Sequence, residues 1–151
     1  MVSQIERHVG EIFMKNEMIE IREAIAAGEK ALSSLKQAEN KLKSASNWGM
    51  WDMFGGGLIS GLLKHNRIQE ATSCMEEAKR NLRIFQRELQ DVNGTYHLEM
   101  NISGFLSFAD FFFDGIIADY LVQTKIRDAK NQVQDAIIQV SAILAELKRR
   151  Y

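Results

Sequence analysis

The 151-residue chain has no proline at all and a single cysteine, Cys74. At an average usage of roughly 5%, about seven prolines would be expected. Proline removes a backbone donor and clashes with the preceding turn of a helix. A chain without it suits long uninterrupted helices. One cysteine excludes an internal disulfide and makes a zinc cluster improbable on chemistry alone. A reducing, cytoplasmic setting is expected. Excess charge of one sign is also missing, since 19 basic residues face 20 acidic ones. That balance argues against a nucleic-acid partner. A secretory signal is not expected, because MVSQIERHVGEIF carries charges within its first eight residues. The most apolar stretch, Ile102 to Val122, contains Asp110, Asp114 and Asp119. Each carboxylate would cost about 2.5–3.5 kcal/mol on insertion, so no transmembrane segment is expected.

What the chain does have is three long apolar seams. The first runs Ile21, Ala24, Gly28, Ala31, Leu35, Ala38, Leu42, Ala45. The second runs Ile68, Ala71, Met75, Ala78, Leu82, Phe85, Leu89, Val92. The third runs Ile126, Ala129, Val133, Ala136, Val140, Ile143, Leu147. Spacings of three and four alternate in each, as on the a/d face of a coiled coil. Ile25, Leu32, Ile137 and Leu144 widen the stripes toward bundle faces. Alanine and glycine on the seams let backbones approach closely.

The second and third seams align in more than period. A shift of 58 residues places Asp52 on Asp110, Phe54 on Phe112, Gly57 on Gly115, Leu63 on Leu121 and Ala71 on Ala129. Heptads align apolar positions by chance, but not an Asp, a Phe and a Gly ahead of them. An internal repeat of about 52–92 and 110–150 is therefore expected. With it goes an all-α, single-domain fold over 1–151: an elongated, antiparallel three- to four-helix bundle with coiled-coil-like heptads. The first helix is expected over about 2–46. Glycines within Asn47–Gly57 would end it, and Asn93-Gly94 would end the second. Thr95 to Ile102 alternates polar and apolar residues and reads as an extended strap. The segment 103–114 reads as a shorter helix.

The densest local feature is Asn47-Trp48-Gly49-Met50-Trp51-Asp52-Met53-Phe54-Gly55-Gly56-Gly57. It resembles an N-W-G-x-W-D-x-x-G-G-G stretch in a family of uncharacterised helical proteins of Gram-positive bacteria, with Lys64-His65 also matching. The resemblance spans Asn47 to Val92 and implies no activity, cofactor or site. Physically, Trp48 and Trp51 share one face of a helical turn, and Asp52 and Asp110 are suited to cap following helices. Trp48, Trp51, Asp52, Phe54, Gly57, Asp110, Phe112 and Gly115 thus form a candidate corner, structural or interacting. Glycines at a helix start can also hold an anion, but GGGLISG matches no phosphate loop.

Phe105, Phe108, Phe111, Phe112 and Phe113 read as core, or else as an apolar tip. His8, His65 and His97 lie in no Glu-x-x-His pair. Cys74, beside seam residue Met75, reads as a structural thiol. Lys79, Arg80, Arg83 and Arg87 read as a solvated face. No catalytic set, metal site or cofactor site is expected. The expectation is a non-enzymatic interaction or scaffold protein, binding a protein partner or itself as a homodimer. The alternative is a bundle that binds a small molecule, a lipid or a membrane surface through its aromatic corners.

Overall fold

A computed structural model describes the backbone of residues 2–55, 58–96, 104, 105, 107, 109 and 123–151. Side chains are described over 3–44, 69–92 and 129–151, and at 104, 105, 107 and 109. Three long helices make up the described chain: α1 (Val2–Gly55), α2 (Leu58–Tyr96) and α3 (Gln123–Arg150). Gly104, Phe105, Ser107 and Ala109 are also helical, and no strand occurs among the described residues.

α1 packs against both α2 and α3. Direction follows from contacts at different levels. Asn81 bonds Ser34, and Glu70 pairs with Lys41, so α2 descends as α1 rises. Lys148 pairs with Glu29, while Arg22 bonds Tyr151, so α3 descends likewise. α2 and α3 are therefore parallel to each other and antiparallel to α1.

The core is made from the seams. Ile21, Ala24, Ala31, Leu35, Ala38 and Leu42 are buried on α1. Ala71, Met75, Ala78, Leu82, Phe85, Leu89 and Val92 are buried on α2, and Ala129, Val133, Ala136, Val140, Ile143 and Leu147 on α3. Gly28 is buried as well. Every expected seam position with a described side chain is thus inside. Leu144 joins the core, and Ile25, Leu32 and Ile137 pack at its margin. Phe105 is buried edge-on against Phe85, ring centroids 5.6 Å apart. Such a pair adds about 0.5–1.5 kcal/mol beyond its area.

Three local expectations need correction. α1 continues to Gly55 instead of ending near residue 46. Glycine costs a helix only about 1 kcal/mol relative to alanine. Each i→i−4 bond retained through Trp48, Met50, Trp51, Met53 and Phe54 satisfies backbone groups that a turn would expose. Asp52 therefore lies near the C-terminal end of α1, not ahead of α2, and does not occupy the capping position assigned to it. α2 likewise runs through Asn93-Gly94 to Tyr96, so Thr95 and Tyr96 are helical rather than part of a strap. The remaining strap residues, 97–102, lie outside the described residues.

Candidate functional site

The expected corner is only partly on view. Trp48, Trp51, Asp52 and Phe54 belong to the last turns of α1, and their side chains lie outside the described set. Gly57, Asp110, Phe112 and Gly115 lie outside the described residues altogether, as do Phe108, Phe111 and Phe113. Of the phenylalanine block, Phe105 is described, and it is core.

Among the described residues, most of the exposed large apolar side chains lie elsewhere, on the first part of α1. Side chains from Ser3 to Ile19 are exposed, apart from half-buried Glu17. The core begins at Ile21. Its outermost tie is the Arg22 guanidinium, whose Nε donates to Tyr151 Oη at 3.0 Å. Beyond this level Ile5, Val9, Ile12 and Ile19 stand 44–64% exposed, and Met14 and Met18 are exposed too. Fully burying one such side chain is worth about 1.5–3 kcal/mol. The segment is amphipathic, and its Ile5, Val9, Ile12 and Ile19 are exposed where Ile21, Ala24, Ala31, Leu35, Ala38 and Leu42 of the same helix are buried. Periodicity carried the signal, since Ile5, Val9, Ile12 and Ile19 keep spacings of three, four and seven.

Where this arm joins the core, α1 and α2 bring acids together. One oxygen each from Glu20, Glu23 and Glu88 lie within 4.8 Å of one another. The Glu88 carboxyl is held above its usual range, first by partial burial and then by the charges of Glu23, Asp91 and Glu20. The three are half-buried or exposed, and exposed carboxylates gather in this way without any ion.

A buried polar pair lies deeper. Asn81 Nδ2 donates to Ser34 Oγ, and Ser34 Oγ donates to the Lys30 carbonyl at 3.0 Å. Both side chains are buried, and the pair joins α1 to α2. Each residue directly precedes a seam leucine, Leu35 or Leu82, so only the edge of the heptad stripe hinted at it. On α3, Gln132 Oε1 is buried without a hydrogen-bond partner among the described residues.

Cys74 is half-buried on α2. Burial pushes its thiol pKa up, Lys41 opposes this, and Glu77 and Glu70 add to it. That is the setting of an unreactive thiol, not a nucleophile. His8 is exposed on the arm, whereas the His65 and His97 side chains lie outside the described set. Of the basic flank on α2, Arg80, Arg83 and Arg87 are exposed and Lys79 is half-buried. Among the described residues no helix is long and apolar enough to cross a membrane. Comparison of the chain with protein-family models, curated proteins and solved structures finds no match.

Proposed function

We propose that this is a non-enzymatic helical interaction protein that docks partners, its own copies included, on helix surfaces outside its core. The observation that carries this reading is the exposure of Ile5, Val9, Ile12 and Ile19 along one stripe of α1. Between Ile21 and Leu42 the same helix buries its seam residues, so the exposure begins where the core ends. Contiguous apolar surface on a folded protein marks a contact site. The buried Ser34–Asn81 pair ties α1 to α2.

The alternative, a lipid or membrane-surface binder, draws on the same exposed face. Against it, Glu6, Glu11 and Glu17 outnumber Arg7 and Lys15 on this segment. Interfacial helices favour lysine and arginine on the polar face, which anionic headgroups attract. Trp48 and Trp51 provide a probe: a shift in their emission with anionic vesicles would favour the membrane reading. The primary test is the solution mass of the full chain by light scattering. Mass above one chain at tens of micromolar supports the proposal. A strict monomer there would sink its self-association part.

We also infer that α2 and α3 are two copies of one unit packed on α1. The pairs Ala71/Ala129, Met75/Val133, Ala78/Ala136, Leu82/Val140, Phe85/Ile143 and Leu89/Leu147, each 58 apart, are buried in both members. The two helices run in the same direction, and Phe85 and Leu144 meet α1 at the same residue, Gly28. Leu144 is one position beyond the mate of Phe85, about 100° further round its helix.

A further inference from the structure

Deepening that reading, the exposed arm of α1 has a seam of its own. Ile5, Val9, Ile12, Asn16 and Ile19 are separated by four, three, four and three residues. This is an a/d repeat with Val9 and Asn16 at a, and Ile5, Ile12 and Ile19 at d. All five are exposed. The seam does not continue into the core. Its next two positions are Glu23 and Ala26, both exposed, whereas the core resumes at Ile21 and Ala24. That offset is two residues, or roughly 200° at about 100° per residue. The arm's apolar stripe therefore faces nearly opposite to the stripe that grips α2 and α3. One helix presents two seams, and among the described residues the second is buried while the first is exposed.

Charge decides what fills the first. In this register the g positions carry His8, Lys15 and Arg22, and the e positions carry Glu6 and Glu20 around Phe13. In a parallel pair, g meets the e position five residues further along the partner, so Lys15 of each copy faces Glu20 of the other. In an antiparallel pair, g meets g and e meets e, so lysine would face lysine or histidine, and glutamate would face glutamate. Parallel pairing also places Asn16 against its own counterpart, where the amides can hydrogen-bond. A single a-position asparagine fixes register and strand number at a cost in stability. β-branched valine at a favours two strands, whereas isoleucine at d pulls toward three. The asparagine and valine at a set the choice here.

We propose that residues 5–19 of α1 form a parallel two-stranded coiled coil with the same segment of a second copy of this chain. The inference rests on the interaction reading above but can fail without it. The test is sedimentation equilibrium of the full chain at tens of micromolar, beside the double variant Ile5→Asp, Ile12→Asp. The expected result is a dimer for the native chain and a monomer for the variant. The thermal midpoint of the variant's bundle should be retained, because both residues are exposed. Direction is read by Ile5→Cys in a Cys74→Ser chain. Parallel strands bring the two position-5 sites side by side, and mild oxidation should link the copies. Antiparallel strands would place them many residues apart, beyond the roughly 7 Å Cα separation a disulfide spans. Lys15→Glu alone should weaken the dimer about fivefold, and adding Glu20→Lys should restore it. A native monomer, a trimer, or failure to link through position 5 overturns the proposal. A dimer that survives Ile5→Asp, Ile12→Asp also overturns it, while leaving the broader interaction reading standing on another surface.

Discussion

Gly28 on α1 and Leu144 on α3 approach so closely that a Cβ on the glycine would lie 2.6 Å from Leu144 Cδ2. The same atom would lie 2.8 Å from Phe85 Cε1 on α2. Gly28 is thus the point where all three long helices converge. The missing side chain is what allows two large ones to meet there.

Gly28→Ala sets two effects against each other. Helix propensity favours alanine by about 1 kcal/mol. Overpacking a filled core costs about 1–3 kcal/mol. Phe85 cannot swing away freely, because Phe105 packs edge-on against it. The expected net result is a loss of about 1 kcal/mol, seen as a midpoint about 2–4 °C lower for a chain of this size. Gly10→Ala is the control, since a Cβ there meets nothing within 4 Å. It should raise helix content by circular dichroism and leave the core unaffected. A stabilised Gly28→Ala would show that α3 can shift outward at little cost.

The Ser34–Asn81 bond supports a second pair of substitutions. Ser34→Ala removes the acceptor of the Asn81 amide inside the core. An unsatisfied buried donor costs about 1–3 kcal/mol. Replacing both partners, as Ser34→Ala with Asn81→Leu, should recover most of that loss, because nothing polar is then stranded. Urea unfolding of the two single variants and the double variant measures the coupling directly. Additive losses would mean that the amide finds another partner.

These two sites show what the sequence could and could not tell. Heptad spacing identified every described position of the three core seams, because burial on a helix follows a simple period. Gly28 was legible as a seam residue, but not as a convergence point, since that depends on which side chains arrive from other helices. Ser34 and Asn81 were illegible for the same reason. The end of α1 was misread because glycines were weighted above the apolar residues between them. The arm was overlooked because its heptads are out of phase with the core seam, and a search for one continuous stripe passes over it.

Cys74 should react slowly. Its thiol pKa is raised, chiefly by burial, so little thiolate exists near neutral pH. Alkylation by iodoacetamide at pH 7.5 should be several-fold slower in the folded chain than in urea. Lys41→Ala should slow it further by removing the charge that lowers the thiol pKa, and Glu77→Gln should speed it modestly. Equal rates in folded and unfolded chains would mean that α2 opens locally around Cys74 faster than the reagent reacts.

Glu88 makes folding sensitive to acid in the direction opposite to a salt-bridged carboxylate. Its pKa in the folded state is raised, first by burial and then by Glu23, Asp91 and Glu20. Well below the ordinary carboxylate range, about 4.3, it is protonated whether folded or not and costs nothing. As the pH rises, the unfolded chain releases this proton first, and the folded state falls behind in stability. Above the folded pKa the penalty is complete. Glu88→Gln removes it, so the variant should melt higher than the native chain at pH 7, with the difference vanishing below about pH 4. The gain should stay under about 1 kcal/mol, because the neighbouring acids are half-buried or exposed and solvent weakens their repulsion. Salt should narrow it further, since the Debye length falls from about 10 Å at 0.1 M to about 3 Å at 1 M. Calorimetry of both proteins at pH 7 and pH 3, each in low and high salt, isolates the effect. A variant less stable than the native chain at pH 7 would show instead that the Glu88 carboxylate accepts a hydrogen bond worth more than its repulsion, and the acids at the root of the arm would then be an attractive junction.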